Sequence, residues 1–403
     1  MMRFIQKPKI TDPIGYTAAA MRTGFKRKRK DLCIIKSDVP AKCSVKFTKN
    51  MVKAAPLLVA MESLKTSGNM IQSLIVNSGN ANAGTGEQGL RDTRETIRFL
   101  SEKIDVPEEL ILASSTGVIG ELLDMGKMVN GIEELSTQLS VGGGLGCAEA
   151  ILTTDTVEKS FGVTLDIPET PVTISGIAKG SGMIQPNMAT MLAFITTDAE
   201  IDHGFLDNVF TDCVEKTFNM ISVDGHTSTN DTALIMANGL AGNPIIRPGT
   251  PEAFLFREAL LELCREMAKS IIKDGEGATK FVTILVDKVD SFENAKKMAF
   301  GIANSALVKS AFFGQDPNWG RILSAAGMVG VTFDPDKADL KINDVFIYKT
   351  GNPLKPDKSV MSELMKPSEL HILLTINTGD ESATVYTTDL SYEYVKINAE
   401  YHT

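Results

Sequence analysis

Short apolar segments with the composition of buried β-strands alternate with longer amphipathic segments along nearly the whole chain. This alternation is typical of α/β and α+β proteins. The predicted helices cover residues 52–64, 89–103, 205–218, 251–272 and 292–306; the predicted strands cover residues 73–77, 110–113, 161–165, 172–177, 191–195, 232–237, 281–286 and 372–377. Because the chain has 403 residues, of which 43% are hydrophobic, it can form two or three domains or one large α/β body.

Charge and hydropathy argue against several classes of protein. The formal net charge of −9 argues against nucleic-acid binding, which is typical of basic domains. A basic run, KRKRK at residues 26–30, lies beside the apolar segment 32–35, and we interpret it as a solvated turn rather than an RNA-binding patch or nuclear signal. The N-terminal residues lack the apolar core of a signal peptide, and no segment approaches the roughly 18 apolar residues of a membrane span. We therefore expect a cytoplasmic protein without a membrane or nucleic-acid partner.

The chain has five cysteines, which are widely spaced and odd in number. Neither a CxxC pair nor a cluster of cysteine and histidine provides the spacing of a metal site, so we expect reduced intracellular thiols and no metal. These cysteines are Cys33, Cys43, Cys147, Cys213 and Cys264. His226 with Asp224 and Asp231 is a candidate metal cluster, but a loop of three polar side chains without a fourth ligand favours a hydrogen-bonded turn.

Several predicted strands end in turns that are rich in glycine and in small polar residues. These turns are VNSGNANAGTG at residues 76–86, ASSTGVIG at residues 113–120 and VDGHTSTND at residues 223–231. Such turns leave small polar side chains and backbone amides clustered at the ends of strands. They are therefore candidates for a functional site.

The segment KGSGMIQPNMATMLAFITTDA, residues 179–199, places one threonine between a glycine-rich approach and an apolar strand. The glycines and the Pro-Asn pair favour neither helix nor strand before that threonine. A loop that delivers a hydroxyl to the first residue of a buried strand holds a nucleophile rigid and exposed. Thr190 is therefore a candidate nucleophile; the alternative is a threonine that merely opens a strand.

A threonine nucleophile needs a base, and the four histidines of the chain show no Ser/His/Asp spacing. An amine can serve instead. If the Thr190 hydroxyl attacks the carbonyl of Ala189 and the peptide bond breaks, Thr190 gains an α-amino group, whose ordinary pKa of about 7.7–8.0 is close to working pH. The segment is therefore compatible with self-cleavage between Ala189 and Thr190.

Ordered blocks along essentially the whole chain carry a family resemblance. The blocks are SDVPA, FTKNMVKAAP, IVNSGNANAGTG, ASSTGVIG, TTDT, KGSGMIQPNMATMLAFITTDA, VDGHTSTNDT, DGEGATKF, SALVKSAFFGQDPNWGRI and DLSYEYVKINAEYHT. With them the sequence resembles the glutamate N-acetyltransferase and ornithine acetyltransferase proteins of arginine biosynthesis, the ArgJ family. The resemblance implies a layered α/β/β/α body of the DmpA/ArgJ-like fold, self-cleaved into an α chain (1–189) and a β chain (190–403) that intertwine in one catalytic body.

The resemblance also assigns roles to individual residues. It implies that Thr190 forms an acetyl-enzyme and that the Thr116 hydroxyl and the Gly117 amide form an oxyanion hole, which acyl transfer requires. Lys179 suits a substrate carboxylate and Glu276 suits an ammonium. The residues that the resemblance marks as substrate contacts are Thr153, Lys179, Thr190, Glu276, Asn398 and Thr403. From the residues alone, the pattern favours a Glu276 carboxylate that caps a nearby amide, and the terminal segment is also compatible with a simple packing helix.

The activity implied by the resemblance is a ping-pong transfer of an acetyl group from N2-acetyl-L-ornithine to L-glutamate through acetyl-Thr190, without a metal or organic cofactor. Acetyl-CoA as a second donor stays open, and the implied assembly is a heterotetramer of two α and two β chains. Two alternatives remain at this point. One is a self-cleaving N-terminal-nucleophile hydrolase such as a β-aminopeptidase, which passes the acyl group to water; the other is a binding or assembly protein with an inert MAT segment.

Overall fold

The computed structural model describes residues 2–167, 170–185, 191–354 and 357–400. Its α-helices are α1 (Ala55–Ser67), α2 (Gly86–Ile104), α3 (Met125–Ser136), α4 (Cys147–Ala150), α5 (His203–Lys216), α6 (Pro251–Lys273), α7 (Phe292–Ala303), α8 (Ala306–Phe313), α9 (Trp319–Gly327), α10 (Lys358–Leu364) and α11 (Tyr392–Glu400). Its strands are β1 (Met2–Phe4), β2 (Tyr16–Met21), β3 (Leu32–Phe47), β4 (Met70–Asn80), β5 (Ile111–Val118), β6 (Lys159–Ile167), β7 (Thr170–Lys179), β8 (Leu192–Thr197), β9 (Ile221–Ser222), β10 (Thr232–Ala237), β11 (Phe281–Val289), β12 (Asp339–Ile342), β13 (Val345–Lys349), β14 (Asn352–Pro353), β15 (Glu369–Thr375) and β16 (Glu381–Thr388).

Each predicted helix and strand overlaps an observed element of the same type, so the predicted α/β class is confirmed. The observed ends of some elements differ from the predicted ends, and the residues at the helix termini explain the differences. The helix predicted from residue 52 begins at Ala55, because Ala54 is extended and Pro56 occupies the first turn. Its other end is set by Gly68, which adopts a left-handed conformation. Helix α6 begins where the Thr250 side chain accepts a hydrogen bond from the backbone N–H of Ala253.

The first sheet combines residues from both sides of residue 190. Its strand order is β1-β6-β7-β8-β10-β3-β4-β5, and β2 pairs with β3. Strand β8 pairs antiparallel with β7 and parallel with β10, and β10 pairs antiparallel with β3. Strands β8 and β10 thus lie between strands that precede residue 190. A cut at residue 190 would leave both parts of the chain joined by the hydrogen bonds of this sheet.

The second sheet has the order β14-β13-β12-β15-β11-β16-β9. Alternate residues of β11 face opposite sides of it, as the pleat requires. Val282, Ile284 and Val286 are buried in a cluster with α7, whereas Phe281 packs against the cluster that contains α6. Helix α6 contacts β6 and β7 of the first sheet and β9 and β16 of the second. It therefore connects the two sheets.

All five cysteines are buried free thiols. Among the described residues, no helix combines the length and the apolar character that crossing a membrane requires.

Candidate active site

One pocket contains the predicted site residues that the structure describes. Its volume is about 720 Å³ with the open mouth included. The residues that line it are Thr116, Gly117, Ile119, Thr153, Thr154, Lys179, Gly182, Met183, Met191, Leu192, Ser228, Thr229, Asn230, Asp231, Glu276 and Asn398. Ala189, Thr190 and Thr403 lie outside the described residues. Met191, which follows Thr190 in the sequence, lines the pocket.

Thr116 and Gly117 lie near the end of β5 and line the pocket. They pair with residues near the end of β4. Gly117 has a φ of 134°, and a Cβ built on it would lie 2.4 Å from the carbonyl carbon of Gly79. No other residue fits this close approach of two backbones. The glycine therefore fixes the path of the chain immediately after the Thr116 hydroxyl.

Asparagine side chains hold the neighbouring ends of β4 and β5 in place. The Asn77 side chain accepts a hydrogen bond from the Ser115 hydroxyl (2.6 Å) and donates one to the carbonyl of Asn80 (2.9 Å). The Asn230 amide donates to the carbonyls of Ala81 (2.6 Å) and Ser115 (2.8 Å). Because these partners are buried, each bond satisfies a polar group that would otherwise be costly to bury. Three of the glycine-rich turns thus meet at Thr116.

Thr153 and Lys179 form the opposite wall. The Lys179 ammonium lies 3.4 Å from the Thr153 hydroxyl. The Thr153 backbone N–H donates to Asp155 Oδ2 (3.1 Å), and the Gly180 N–H donates to Asp155 Oδ1 (2.7 Å). Asp155 therefore connects the loop that carries Thr153 to the end of the strand that carries Lys179.

Glu276 and Asn398 complete the pocket from the C-terminal half of the chain. The Asn398 amide donates to Glu276 Oε2 (2.8 Å) and to the carbonyl of Tyr394 (3.0 Å). The Glu276 backbone N–H donates to the carbonyl of Ser181 (2.9 Å). A Cβ on Gly182 would lie within 2.4 Å of all three carboxyl atoms of Glu276, so a glycine is required beside this carboxylate.

A buried ion network lies directly behind these walls. Lys159 donates to Asp155 Oδ1 (2.7 Å) and to Asp274 Oδ2 (2.5 Å), and the three side chains are at most 5% exposed. Asp274 also accepts hydrogen bonds from the backbone N–H and the hydroxyl of Thr156. Burial acts to raise the pKa of Asp155, but Lys159, Lys179 and the Gly180 amide hold that pKa below its ordinary value. The network thus joins the loop at residues 153–156 to the end of α6.

The basic run at residues 26–30 differs in part from the predicted solvated turn. Arg27 and Lys28 are exposed, but Lys26 donates to the carbonyl of Leu152 (2.9 Å) and Arg29 donates to the carbonyl of Asp155 (2.6 Å). Burial lowers the pKa of Lys26 to about 8. The charge pattern did not show that two of these side chains fold back and support the Thr153 loop.

The pocket contains two charged groups with strongly perturbed pKa values. Burial lowers the pKa of Lys179, against the opposing effect of Asp155, Asp231 and Glu276. Burial raises the pKa of Asp231 well above its ordinary value, although Lys179 and hydrogen bonding from the backbone of Met191 lower it. Perturbed groups of this kind concentrate at functional sites.

The C-terminal helix docks on the loop at residues 223–231. The Tyr394 hydroxyl donates to Asp224 Oδ2 (3.2 Å), and Asp224 also accepts the backbone N–H groups of Met183 (2.7 Å) and Ile184 (2.9 Å). His226 Nδ1 lies 3.0 Å from the carbonyl of Asp224, so the predicted hydrogen-bonded turn is observed. The bond between Tyr394 and Asp224 holds α11 on this loop, and Asn398 of the same helix reaches the pocket.

Sequence reasoning missed Asp231 and Asn230 as pocket residues and interpreted Asp231 as structural. The available signal was the STND end of the turn at residues 223–231, which directly precedes β10. Since β10 pairs in parallel with β8, its first residues lie beside the residues that follow Thr190. That pairing was not visible in the sequence.

Comparisons with known proteins identify the family of the chain. Residues 17–403 match the model of the ArgJ family. The arginine biosynthesis bifunctional protein ArgJ of Caldanaerobacter subterraneus subsp. tengcongensis is 45% identical over 98% of this chain and 98% of its own length. The protein of the same name from Geobacter sulfurreducens is 46% identical over 96% of this chain and 99% of its own length. The crystal structure of ornithine acetyltransferase with ornithine from Mycobacterium tuberculosis is 33% identical, covers 46% of this chain and 99% of that chain, and has a TM-score of 0.43.

The ion network predicts a strong dependence of stability on Lys159. Lys159→Ala leaves two buried carboxylates without their cation, and we expect a loss of about 3–5 kcal/mol in the free energy of unfolding. Urea unfolding followed by circular dichroism measures it. Lys273→Ala, which removes an exposed ion pair with Glu369, is the control, with an expected loss of about 0–1 kcal/mol. Equal losses in the two variants would contradict a stabilising role for the network.

Proposed function

The chain belongs to the ArgJ family, and on that premise we propose that it is a self-processing acetyltransferase of arginine biosynthesis that transfers the acetyl group of N2-acetyl-L-ornithine to L-glutamate. One observation carries this proposal. The six described residues that family resemblance assigns to the oxyanion hole and the substrate, namely Thr116, Gly117, Thr153, Lys179, Glu276 and Asn398, line a single pocket together with Met191, the neighbour of Thr190.

The nucleophile of the proposed reaction is Thr190. Cleavage after Ala189 yields fragments 1–189 and 190–403, which stay together because β8 and β10 lie inside the shared sheet. The new α-amine of Thr190 then acts as the base for its own hydroxyl. It takes the proton as the hydroxyl attacks the acetyl carbonyl, and it gives the proton to the departing α-amine of ornithine.

The oxyanion of the tetrahedral intermediate is assigned to the Thr116 hydroxyl and the Gly117 amide. Donors that are fixed before the reaction stabilise such charge without rearrangement. The buried hydrogen bonds of Asn77 and Asn230 to Ser115 give these two residues a fixed position. The close contact of Gly117 with Gly79 has the same effect on the backbone.

Substrate recognition is assigned to the charged groups of the pocket. Both substrates carry an α-carboxylate, which Lys179 binds; ornithine also carries a side-chain ammonium, which Glu276 binds. Thr153 lies beside the Lys179 ammonium and Asn398 beside the Glu276 carboxylate, so each orients its charged neighbour. Thr403, three residues after the end of α11, is assigned to the same pocket.

A ping-pong cycle follows from a single nucleophile. Ornithine leaves, glutamate enters the same carboxylate site, and its α-amine takes the acetyl group from Thr190. The cycle uses no metal or organic cofactor. Acetyl-CoA serves as a second donor of the acetyl group. The active assembly is a heterotetramer of two α and two β chains in the cytoplasm. The word bifunctional in the names of the two relatives favours the second donor.

A donor assay tests this function. Purified protein is supplied with N2-acetylornithine or acetyl-CoA, with and without glutamate, and both acetylglutamate and free acetate are measured. We expect acetylglutamate from acetylornithine, in amounts equal to the ornithine released. Release of acetate without acetylglutamate would show a hydrolase instead.

Removing the nucleophile prevents both of its reactions. Thr190→Ala lacks the hydroxyl for cleavage and for acetyl transfer, so we expect an uncut precursor without transferase activity. Thr190→Ser keeps a hydroxyl and should be cut in part. Intact mass measured under denaturing conditions distinguishes the precursor from its fragments. Normal fragments from Thr190→Ala would contradict the mechanism.

Thr116→Ala and Lys179→Ala should affect different kinetic constants. Loss of an oxyanion donor removes stabilisation of the transition state and should lower kcat by about 10²- to 10³-fold. Loss of the carboxylate partner should mainly raise KM for acetylornithine. Steady-state kinetics on fully cleaved protein separates the two effects. If Thr116→Ala changed KM alone, Thr116 would not belong to the oxyanion hole.

A further inference from the structure

Self-cleavage presents a chemical problem that the later transfer reaction does not. The α-amine that serves as the base in the mature enzyme is still part of the peptide bond between Ala189 and Thr190 before cleavage. A peptide nitrogen is not a base at working pH. The precursor therefore needs another group to accept the proton of the Thr190 hydroxyl. This inference rests on the proposed function.

Asp231 is a pocket residue with an unused hydrogen-bond acceptor. Its side chain lines the pocket, the residue is 5% exposed, and its Oδ2 atom has no hydrogen-bond partner in the described part of the chain. A buried polar atom without a partner is costly, and a catalytic role is one explanation for keeping it. The carboxyl therefore has an oxygen available for a proton.

The first sheet places Asp231 beside the segment that follows Thr190. Strands β8 and β10 are parallel, with Leu192 opposite Thr232, and the Thr232 N–H donates to the Met191 carbonyl (3.0 Å). Continued by one residue, this register sets Asp231 opposite Met191. Neighbouring strands are separated by about 4.8 Å, so the Asp231 carboxyl lies within reach of the residues at the start of β8.

The other ionisable groups of the pocket already have partners. Glu276 Oε2 accepts the Asn398 amide, and its carboxyl packs against Gly182. The Lys179 ammonium lies beside the Thr153 hydroxyl. Behind the wall, Asp155 and Asp274 are bound by Lys159. These contacts leave Asp231 as the best-placed proton acceptor among the described residues.

We propose that Asp231 is the proton acceptor of self-cleavage. The Thr190 Oγ forms a bond to the Ala189 carbonyl carbon while the hydroxyl proton passes to the Asp231 carboxylate. The bond from that carbon to the Thr190 nitrogen then breaks, and Asp231 returns the proton to the departing nitrogen, which becomes the α-amine. Water hydrolyses the resulting ester to the Ala189 carboxylate and the free Thr190 hydroxyl, so one water is consumed and Asp231 is regenerated.

The surroundings of Asp231 suit this role. Burial raises the pKa of its carboxyl, and the carboxylate is therefore a stronger base than an ordinary aspartate. Lys179 at the end of β7 is the cation that faces Asp231, and it acts to lower the pKa of that carboxyl. Glu276, Asp155 and Lys159 act in turn on Lys179. Since the carboxyl must lose its proton to act, cleavage should accelerate as pH rises through a range above that of an ordinary carboxyl.

Timed cell-free synthesis, followed by a shift to defined pH and intact-mass measurement, gives the rate of cleavage for each variant. We expect Asp231→Asn to be cut about 10²- to 10⁴-fold more slowly than the wild type and to lose the acceleration with pH. Asp198→Asn is the matched control, because Asp198 is a buried carboxyl with a raised pKa just after the opposite end of β8. It should be cut at the wild-type rate.

Chemical rescue keeps the proposal testable even if Asp231→Asn does not fold. Asp231→Ala leaves space for a small carboxylate, so added formate should restore cutting in proportion to its concentration. Cutting of Asp231→Asn at the wild-type rate, or an Asp231→Ala precursor that formate does not affect, would overturn the role of Asp231. An uncut wild-type chain would instead overturn the proposed function, and the two failures are therefore distinguishable.

Discussion

The buried ion network of Asp155, Lys159 and Asp274 is the interaction on which the pocket depends. Without Lys159, two buried carboxylates would lose the cation that binds both, at a cost of about 3–5 kcal/mol in the free energy of unfolding. The same carboxylates accept the backbone N–H groups of Thr153, Thr156 and Gly180. One lysine thus fixes the distance between the Thr153 loop, the end of β7 and the end of α6. The charged side chains that line the pocket take their positions from this network.

The sheet explains how one chain can be cut at its active site and stay folded. Strands β8 and β10 are completely buried and lie between β7 and β3. A break before β8 removes one covalent bond but leaves the hydrogen bonds and the apolar contacts of both strands in place. Because the proposed cut would free the end of the chain that leads into β8 at the pocket, no separate element would be needed to deliver a nucleophile.

Local patterns predicted most of the fold, and long-range contacts explain what they missed. The periodicity of the segment at residues 251–272 predicted α6 within one residue of its observed end. Only residues 32–35 of the 16-residue strand β3 were recognised, because its register shifts between Lys36 and Ala41 around Pro40. The role of Lys159 was not visible, since only one of its two partners, Asp155, is near in sequence and the other, Asp274, is 115 residues away. Asp231 was missed for the same reason, because its neighbour Met191 is reached only through the pairing of β8 with β10.

The central claim is that Thr190 carries the acetyl group between the two substrates. The direct measurement is the mass of the fragment 190–403 after the enzyme is mixed with N2-acetylornithine and quenched in acid, followed by the mass of its N-terminal peptide. One added acetyl group is expected on Thr190. It should disappear when glutamate is added, while an equal amount of acetylglutamate forms. Transfer to glutamate without an acetylated fragment, or with the acetyl group on another residue, would contradict the role of Thr190.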